Sequence, residues 1–420
     1  MSIPWNVEAV RAAFPSLAIE DDGVPRLYLD APAGTQVAGR AIERVRRAML
    51  EACANDGGAF RTSHAAEALK AEAHEAAAAL LGAGSGEEIV FGLNMTSLAF
   101  SFAYMLSRDW RAGDEIVLTR MDHDANVGPW LTMAEERGVT VRWLEFDRET
   151  FRYRYDTLPG LVGPRTRLVA CNHASNLFGT VNDVARICAT GRSVGAVTVV
   201  DAVQSTPHVP VDARAIGCDL LLCSAYKFYG PHAGLLRIRP ELRDRLKPLK
   251  LRPSSNAMPT RFAPGTPSFE AQSGTTGAIE HLAWLGSEFG GVDAAAPLRQ
   301  RIVAGLEAAT RHERGLMTAF LDGVRRIPGV EIFGIAEESA LDERVPTFSL
   351  RLPGRDSRAV AEALAARNIF VWSGTFYAWE AAGVLGMREG SGLVRVGLSH
   401  YTTRGEVELV TRALAELARG

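Results

Sequence analysis

One lysine, Lys227, stands between aromatics in CSAYKFYGPH (223–232), directly after the apolar run CDLLL. It is the only lysine between residues 71 and 246. An amine placed after a buried strand is desolvated, which lowers its pKa towards that of a usable nucleophile. Asp201 closes another apolar run, VTVVD, with a carboxylate that is costly to bury without a cationic neighbour. The turn Asn94-Met95-Thr96-Ser97 follows IVFG and opens a helical pattern, so it offers backbone N–H groups and two hydroxyls to a phosphate. His123 provides a ring for stacking. A lysine to form a Schiff base, an acid to keep a pyridine nitrogen protonated, a phosphate cup and a stacking ring are together what pyridoxal phosphate requires.

Singly, each feature has an ordinary alternative. A lysine after a strand is often a solvated end, Asp201 can cap a helix or pair with an arginine, the Asn94–Ser97 turn reads as a plain N-cap, and His123 or His173 can be a core or surface histidine. Their convergence on strand ends is what counts, because ligands of an open parallel sheet lie beyond the carboxyl ends of its strands. Strand patterns fall at 87–92, 114–120, 139–146, 166–173, 196–203, 218–225 and 233–239, with helical patterns such as 66–83 and 97–110 among them. This alternation predicts an α/β fold whose mainly parallel sheet is flanked by helices. Residues 248–277, rich in Pro, Ser, Thr and Gly, read as a long functional loop. The pattern then changes to a small α+β unit. The expected domains are an N-terminal segment (1–25) packing with the small domain, a large cofactor-binding domain (26–290) and a small C-terminal domain (291–420).

Bulk properties narrow the partner. The 420 residues are 47% hydrophobic and 23% charged with a net charge of -3, and no basic run suggests nucleic acid or an anionic membrane. The start lacks a signal-peptide pattern and no apolar run is long enough to span a bilayer, so a cytoplasmic enzyme of small molecules is expected. Five cysteines without CxxC or zinc-type spacing read as reduced structural thiols, with no metal site.

The segment VVDAVQSTPHVPVDARAIGCDLLLCSAYKFYGPHAGLLRIR resembles the aspartate-to-lysine region of the class V aminotransferase, or cysteine desulfurase-like, family of pyridoxal phosphate enzymes. YLDAPAGTQV, MDHDANVGPW, HASNLFGTVND, RFAPGTPSFE and VRVGLSHYTTRGEVE extend the likeness over nearly the whole chain. The resemblance implies the fold type I architecture, Lys227 as the Schiff-base lysine, Asp201 at the pyridine nitrogen and Gln204 near the phenolic oxygen. It further implies His123 on the ring, Asn176 lining it, and Thr96 with Ser224 at the phosphate. Tyr226 stands where the family commonly has a histidine, and its hydroxyl can substitute. Gly265 and Thr266 match an element that completes the partner's site in a homodimer, and Arg395 matches the arginine that binds the substrate carboxylate. Trp372, Ser373 and Tyr377 lie where a substrate pocket would be shaped. The chain departs from the desulfurase pattern in one respect: its last cysteine is Cys223, so no thiol stands ahead of Arg395. The expected reaction is therefore carbon-sulfur lyase chemistry on an amino acid without the usual active-site cysteine. An aminotransferase or an isopenicillin N epimerase-like enzyme is the alternative, and a non-catalytic scaffold of a sulfur-transfer complex is the reading from another class.

Overall fold

The structure, a computed structural model, describes residues 3–419. Seven strands make the main sheet: β1 (Ile89–Gly92), β2 (Glu115–Thr119), β3 (Thr140–Leu144), β4 (Thr166–Asn172), β5 (Val197–Asp201), β6 (Leu220–Ser224) and β7 (Gly234–Ile238). Their spatial order is β1-β7-β6-β5-β4-β2-β3. Only β7 among these strands runs against the rest, antiparallel to both β1 and β6. The central strands β4, β5 and β6 are buried almost throughout, which is why their sequences are continuously apolar instead of alternating.

Two hydrophobic clusters lie on this sheet. The face-covering helices include Arg61–Leu81, Met95–Leu106, Gly128–Arg137 and Val184–Ser193. The last part of the expected 248–277 loop is helical: Phe269–Phe289 begins within it. The Gly, Ser and Thr residues there are small because this helix packs closely on the helix Gly39–Glu51. A Cβ at Gly277 would lie 2.6 Å from the Arg40 carbonyl oxygen and 2.7 Å from the Ala41 Cα. Composition suggested a loop, and close helix packing is the physical reason it is not.

A second sheet follows the long helix Leu298–Arg325, with β8 (Glu331–Phe333), β9 (Thr347–Arg351), β10 (Trp372–Gly374) and β11 (Leu393–Gly397) in the order β8-β9-β11-β10. Helices Ser357–Ala365 and Arg404–Arg419 pack beside it over a third cluster that includes Phe320, Phe348, Leu364 and Leu414. The N-terminal residues touch both parts. Arg11 pairs with Glu406 at 3.0 Å, Trp5 packs on Phe289 and His312, and Phe14 meets Tyr229 and Tyr401. Leu27–Tyr28 pairs in parallel with Ile369–Phe370, which carries the next residues, Asp30 to Ala33, across to β11. Among the described residues, no helix is long and apolar enough to cross a membrane.

Candidate active site

Three neighbouring strands end in polar side chains at the same edge: Asn172 closes β4, Asp201 closes β5 and Ser224 closes β6. A short 3-10 turn, Ala225–Lys227, follows β6 and delivers Lys227. The helix starting at Met95 follows β1 to this edge, where Gly234 at the start of β7 lies against Asn94. A Cβ there would sit 2.4 Å from the Asn94 carbonyl carbon, so only glycine allows the approach. The Met95 N–H donates to Ser224 Oγ at 2.9 Å, and the Asn94 side chain accepts from the Ser97 N–H at 2.8 Å.

These ends open on a cavity of about 810 Å³. Its lining brings together Met95, Thr96, His123, Asn176, Asp201, Gln204, Ser224, Tyr226, Lys227 and Arg395, drawn from segments up to three hundred positions apart in the chain. Gly265 and Thr266 are exposed and do not line the cavity of their own chain. The ring of His173 is also absent from the lining, while its backbone N–H donates to the Asp201 carbonyl at 2.8 Å.

Lys227 is 9% exposed. Its Nζ donates to the backbone carbonyls of Pro32 and Ala33, the latter at 2.8 Å, and among the described residues it forms no ion pair with a carboxylate. Burial, reinforced by the positive charge of Arg395, brings its pKa down to about 7, with Asp30 and Asp201 opposing. Asp201 is buried and accepts from the Val203 N–H at 2.8 Å; burial raises its pKa to about 6, against the pull of that hydrogen bond and of Lys227. Behind it, the buried Asp122 accepts from Thr119, from Asn126 Nδ2 at 2.6 Å and from the Tyr153 hydroxyl at 3.2 Å. Burial lifts Asp122 to about 8.

Gln204 Nε2 donates to the Pro32 carbonyl at 2.8 Å, so one backbone oxygen receives both Gln204 and Lys227. Pro32 is held there by β11: a Cβ at Gly397 would lie 1.8 Å from its Cδ. His123 caps its own turn, its Nδ1 accepting from the Ala125 N–H at 3.0 Å, and its ring stacks on Tyr377 at 5.4 Å. Burial and the nearby Lys227 and Arg395 charges hold its pKa down at about 4, so the ring is neutral and basic at only one nitrogen near neutral pH. The Tyr226 ring stacks on His232 at 4.7 Å and lies 4.8 Å from Lys227 Nζ.

Arg395 is buried, donates to the Asn176 carbonyl at 3.2 Å and pairs with Asp30 at 3.1 Å, while its Nε has no protein partner. Asn176 donates from Nδ2 to the Phe376 carbonyl at 2.8 Å and leaves its buried Oδ1 unpartnered. Sequence reasoning assigned no role to Asp30, His232, Asp124, Phe376 or Trp379. YLDAPAGTQV contained Asp30, but nothing local points it at an arginine 365 positions away.

The residues fit pyridoxal phosphate. An amine of lowered basicity, a buried carboxylate with spare acceptor capacity and two buried polar atoms without partners share one cavity, next to a helix N-terminus. The family described as "Aminotransferase class-V" matches residues 27–410. The chain belongs to that family. It is thereby a member of a class of pyridoxal phosphate-dependent enzymes. A cysteine desulfurase of Pectobacterium carotovorum subsp. carotovorum is 32% identical over 427 residues, covering 100% of this chain and 99% of the relative. The aminotransferase-like protein FGM3 of Gibberella zeae is 30% identical over 425 residues, with 98% of each chain covered. The apo structure of cysteine desulfurase from Thermococcus onnurineus NA1 superposes with a TM-score of 0.86 at 26% identity, covering 100% of this chain and 99% of the other. These likenesses bear out the expected class V family and the fold type I architecture.

Proposed function

We propose that this class V enzyme holds pyridoxal phosphate on Lys227 and cleaves a carbon-sulfur bond in a cysteine derivative. The observation that carries this reading is the buried Lys227 amine, brought down to about 7 in a cavity it shares with Asp201 and Arg395. Asp201 would hold the pyridine nitrogen, Gln204 the phenolic side, and Met95, Thr96, Ser224 and Tyr226 the phosphate end, with His123 over the ring. When bound, the cofactor supplies an electron sink for charge at the substrate α-carbon.

The chain's own groups do the remaining work. Arg395 binds the substrate carboxylate through its planar fork, for which its unpartnered Nε is available. Lys227, once its amine is displaced, is the base for the α-proton, and neutral His123 is a second acceptor or donor. A thioether amino acid plus one water then gives a thiol, pyruvate and ammonium. Among the described residues, Cys171, Cys188, Cys218 and Cys223 are buried outside the cavity lining and Cys53 is exposed. The mechanism we propose uses no enzyme thiol as sulfur acceptor. A class V aminotransferase is the second reading, supported by the aminotransferase-like relative at 30% identity.

A homodimer fits these features, and the cytoplasm is the compartment we propose for it. Leu93, Phe100 and Tyr104 at the helix that opens the site, and Met49, Leu50 and Phe60, are exposed apolar side chains of the kind a subunit interface covers. Gly265 and Thr266 would reach the partner's phosphate end. Incubation with cysteine, S-substituted cysteines and other amino acids tests the reaction. Thiol and pyruvate release in equal amounts supports the lyase, a keto acid from the whole substrate supports transamination, and no product from any amino acid contradicts both.

A further inference from the structure

One segment, residues 372–379, contributes Trp372, Phe376, Tyr377 and Trp379 to the cavity lining. Three of these rings are unusually open: Trp372 is 56% exposed, Tyr377 73% and Trp379 47%. Large aromatic side chains are ordinarily well buried, so an open cluster of them on a cavity wall marks a surface that something covers. Trp372 is the direct cross-strand neighbour of Arg395, so both side chains rise from the same face of the small sheet. The Arg395 guanidinium lies 4.2 Å from the Phe376 ring centre, and Tyr377 stacks on His123.

The backbone here is strained. Phe376 and Tyr377 both have φ of 57°, a left-handed conformation that bulky residues rarely adopt. Site residues hold it in place: Asn176 Nδ2 donates to the Phe376 carbonyl at 2.8 Å and the Asp124 N–H to the Tyr377 carbonyl at 2.7 Å. Strain that persists because binding residues enforce it points to a ligand-clamping segment.

We propose that this aromatic wall selects amino acids whose side chain is large and uncharged, either an aromatic ring or an apolar group carried on sulfur. The inference rests on the amino-acid reading above. With the carboxylate on Arg395 and the amine at Lys227, the side chain is the substituent left to meet these rings. The wall does not suit a cation equally well. Glu380 is already neutralised by Arg120 and Arg388, and the Arg388 guanidinium lies 4.8 Å from the Trp379 ring centre. Asp124 is the one lining carboxylate on this side, and lysine therefore serves as a decisive competitor.

The test is titration of the cofactor-loaded protein with alanine, cysteine, lysine, phenylalanine and S-benzylcysteine, following the visible absorbance of the cofactor. Phenylalanine and S-benzylcysteine are expected to bind at least about tenfold more tightly than alanine. In Trp372→Ala and in Tyr377→Ala that ratio falls towards one, while Tyr377→Phe keeps it. Alanine or cysteine binding as tightly as phenylalanine, or lysine binding most tightly, overturns the proposal. So does an unchanged ratio in both alanine variants, and a fall in their sedimentation mass then makes the wall a subunit contact. If no amino acid alters the absorbance, the amino-acid reading itself fails and the wall proposal with it. A response confined to small amino acids sinks only the wall.

Discussion

Replacing Asp30 with asparagine removes one charge from the Arg395–Asp30 pair and leaves its shape. The two groups are 3.1 Å apart, with side chains 4% and 21% exposed for Arg395 and Asp30. Burial pushes the Asp30 pKa up and the Arg395 pKa down, in both cases against the attraction of the partner. Desolvation therefore outweighs attraction, and the intact pair is not a large net source of stability. Breaking it is another matter, because it leaves the guanidinium buried without a counterion, at a cost of about 3–5 kcal/mol for a fully buried pair. Water reaches Asp30 in part, and asparagine keeps one acceptor oxygen, so about 2–3 kcal/mol is expected here. Denaturant unfolding of wild type, Asp30→Asn, Arg395→Met and the double variant measures it. The cycle should return a coupling of about 2 kcal/mol, the double variant being more stable than the two single losses add up to. An added amino acid should restore more stability to Asp30→Asn than to wild type, since its carboxylate replaces the lost charge. Asp30→Asn unfolding with wild type, or single effects that simply add, would refute the reasoning.

Gly397→Ala should weaken cofactor retention by about tenfold or more, measured by dialysis and absorbance, because a Cβ 1.8 Å from Pro32 Cδ must displace the carbonyl that receives Lys227 and Gln204. Retention equal to wild type would show that Pro32 is not a fixed support. In the cofactor-free protein burial brings the folded Lys227 down to about 7 from an ordinary 10.5, so between these the unfolded chain holds the extra proton and folding stability rises with pH. From pH 7 to pH 9 wild type should gain about 2 kcal/mol relative to Lys227→Met by denaturant unfolding, and a flat difference across that range would contradict a lowered lysine.

Much of the candidate site was legible because the central strands are apolar throughout and then end abruptly in Asn172, Asp201 and Ser224, so the strand ends stood out. Lys227 was legible for the same reason, and Arg395 through family resemblance. Asp30 was not, since only the folded chain brings it beside β11 and no local period connects it to Arg395, 365 positions away. The reversed direction of β7 was also hidden: an apolar run reads the same either way, and direction is set by the connection after Lys227. Residues 269–277 misled because glycine and threonine mark loops by composition, whereas here they allow two helices to touch. The stack of Tyr377 on His123 depends on a left-handed turn at two aromatics, a conformation their residue types argue against.

The buried amine at the end of β6 is the proposed point of attachment of the aldehyde cofactor. Borohydride reduction of the loaded protein, followed by peptide mass mapping, tests it directly. A stable pyridoxyl adduct on Lys227 is the predicted result, absent in Lys227→Ala together with the visible band. An adduct on another lysine, or none, contradicts the account.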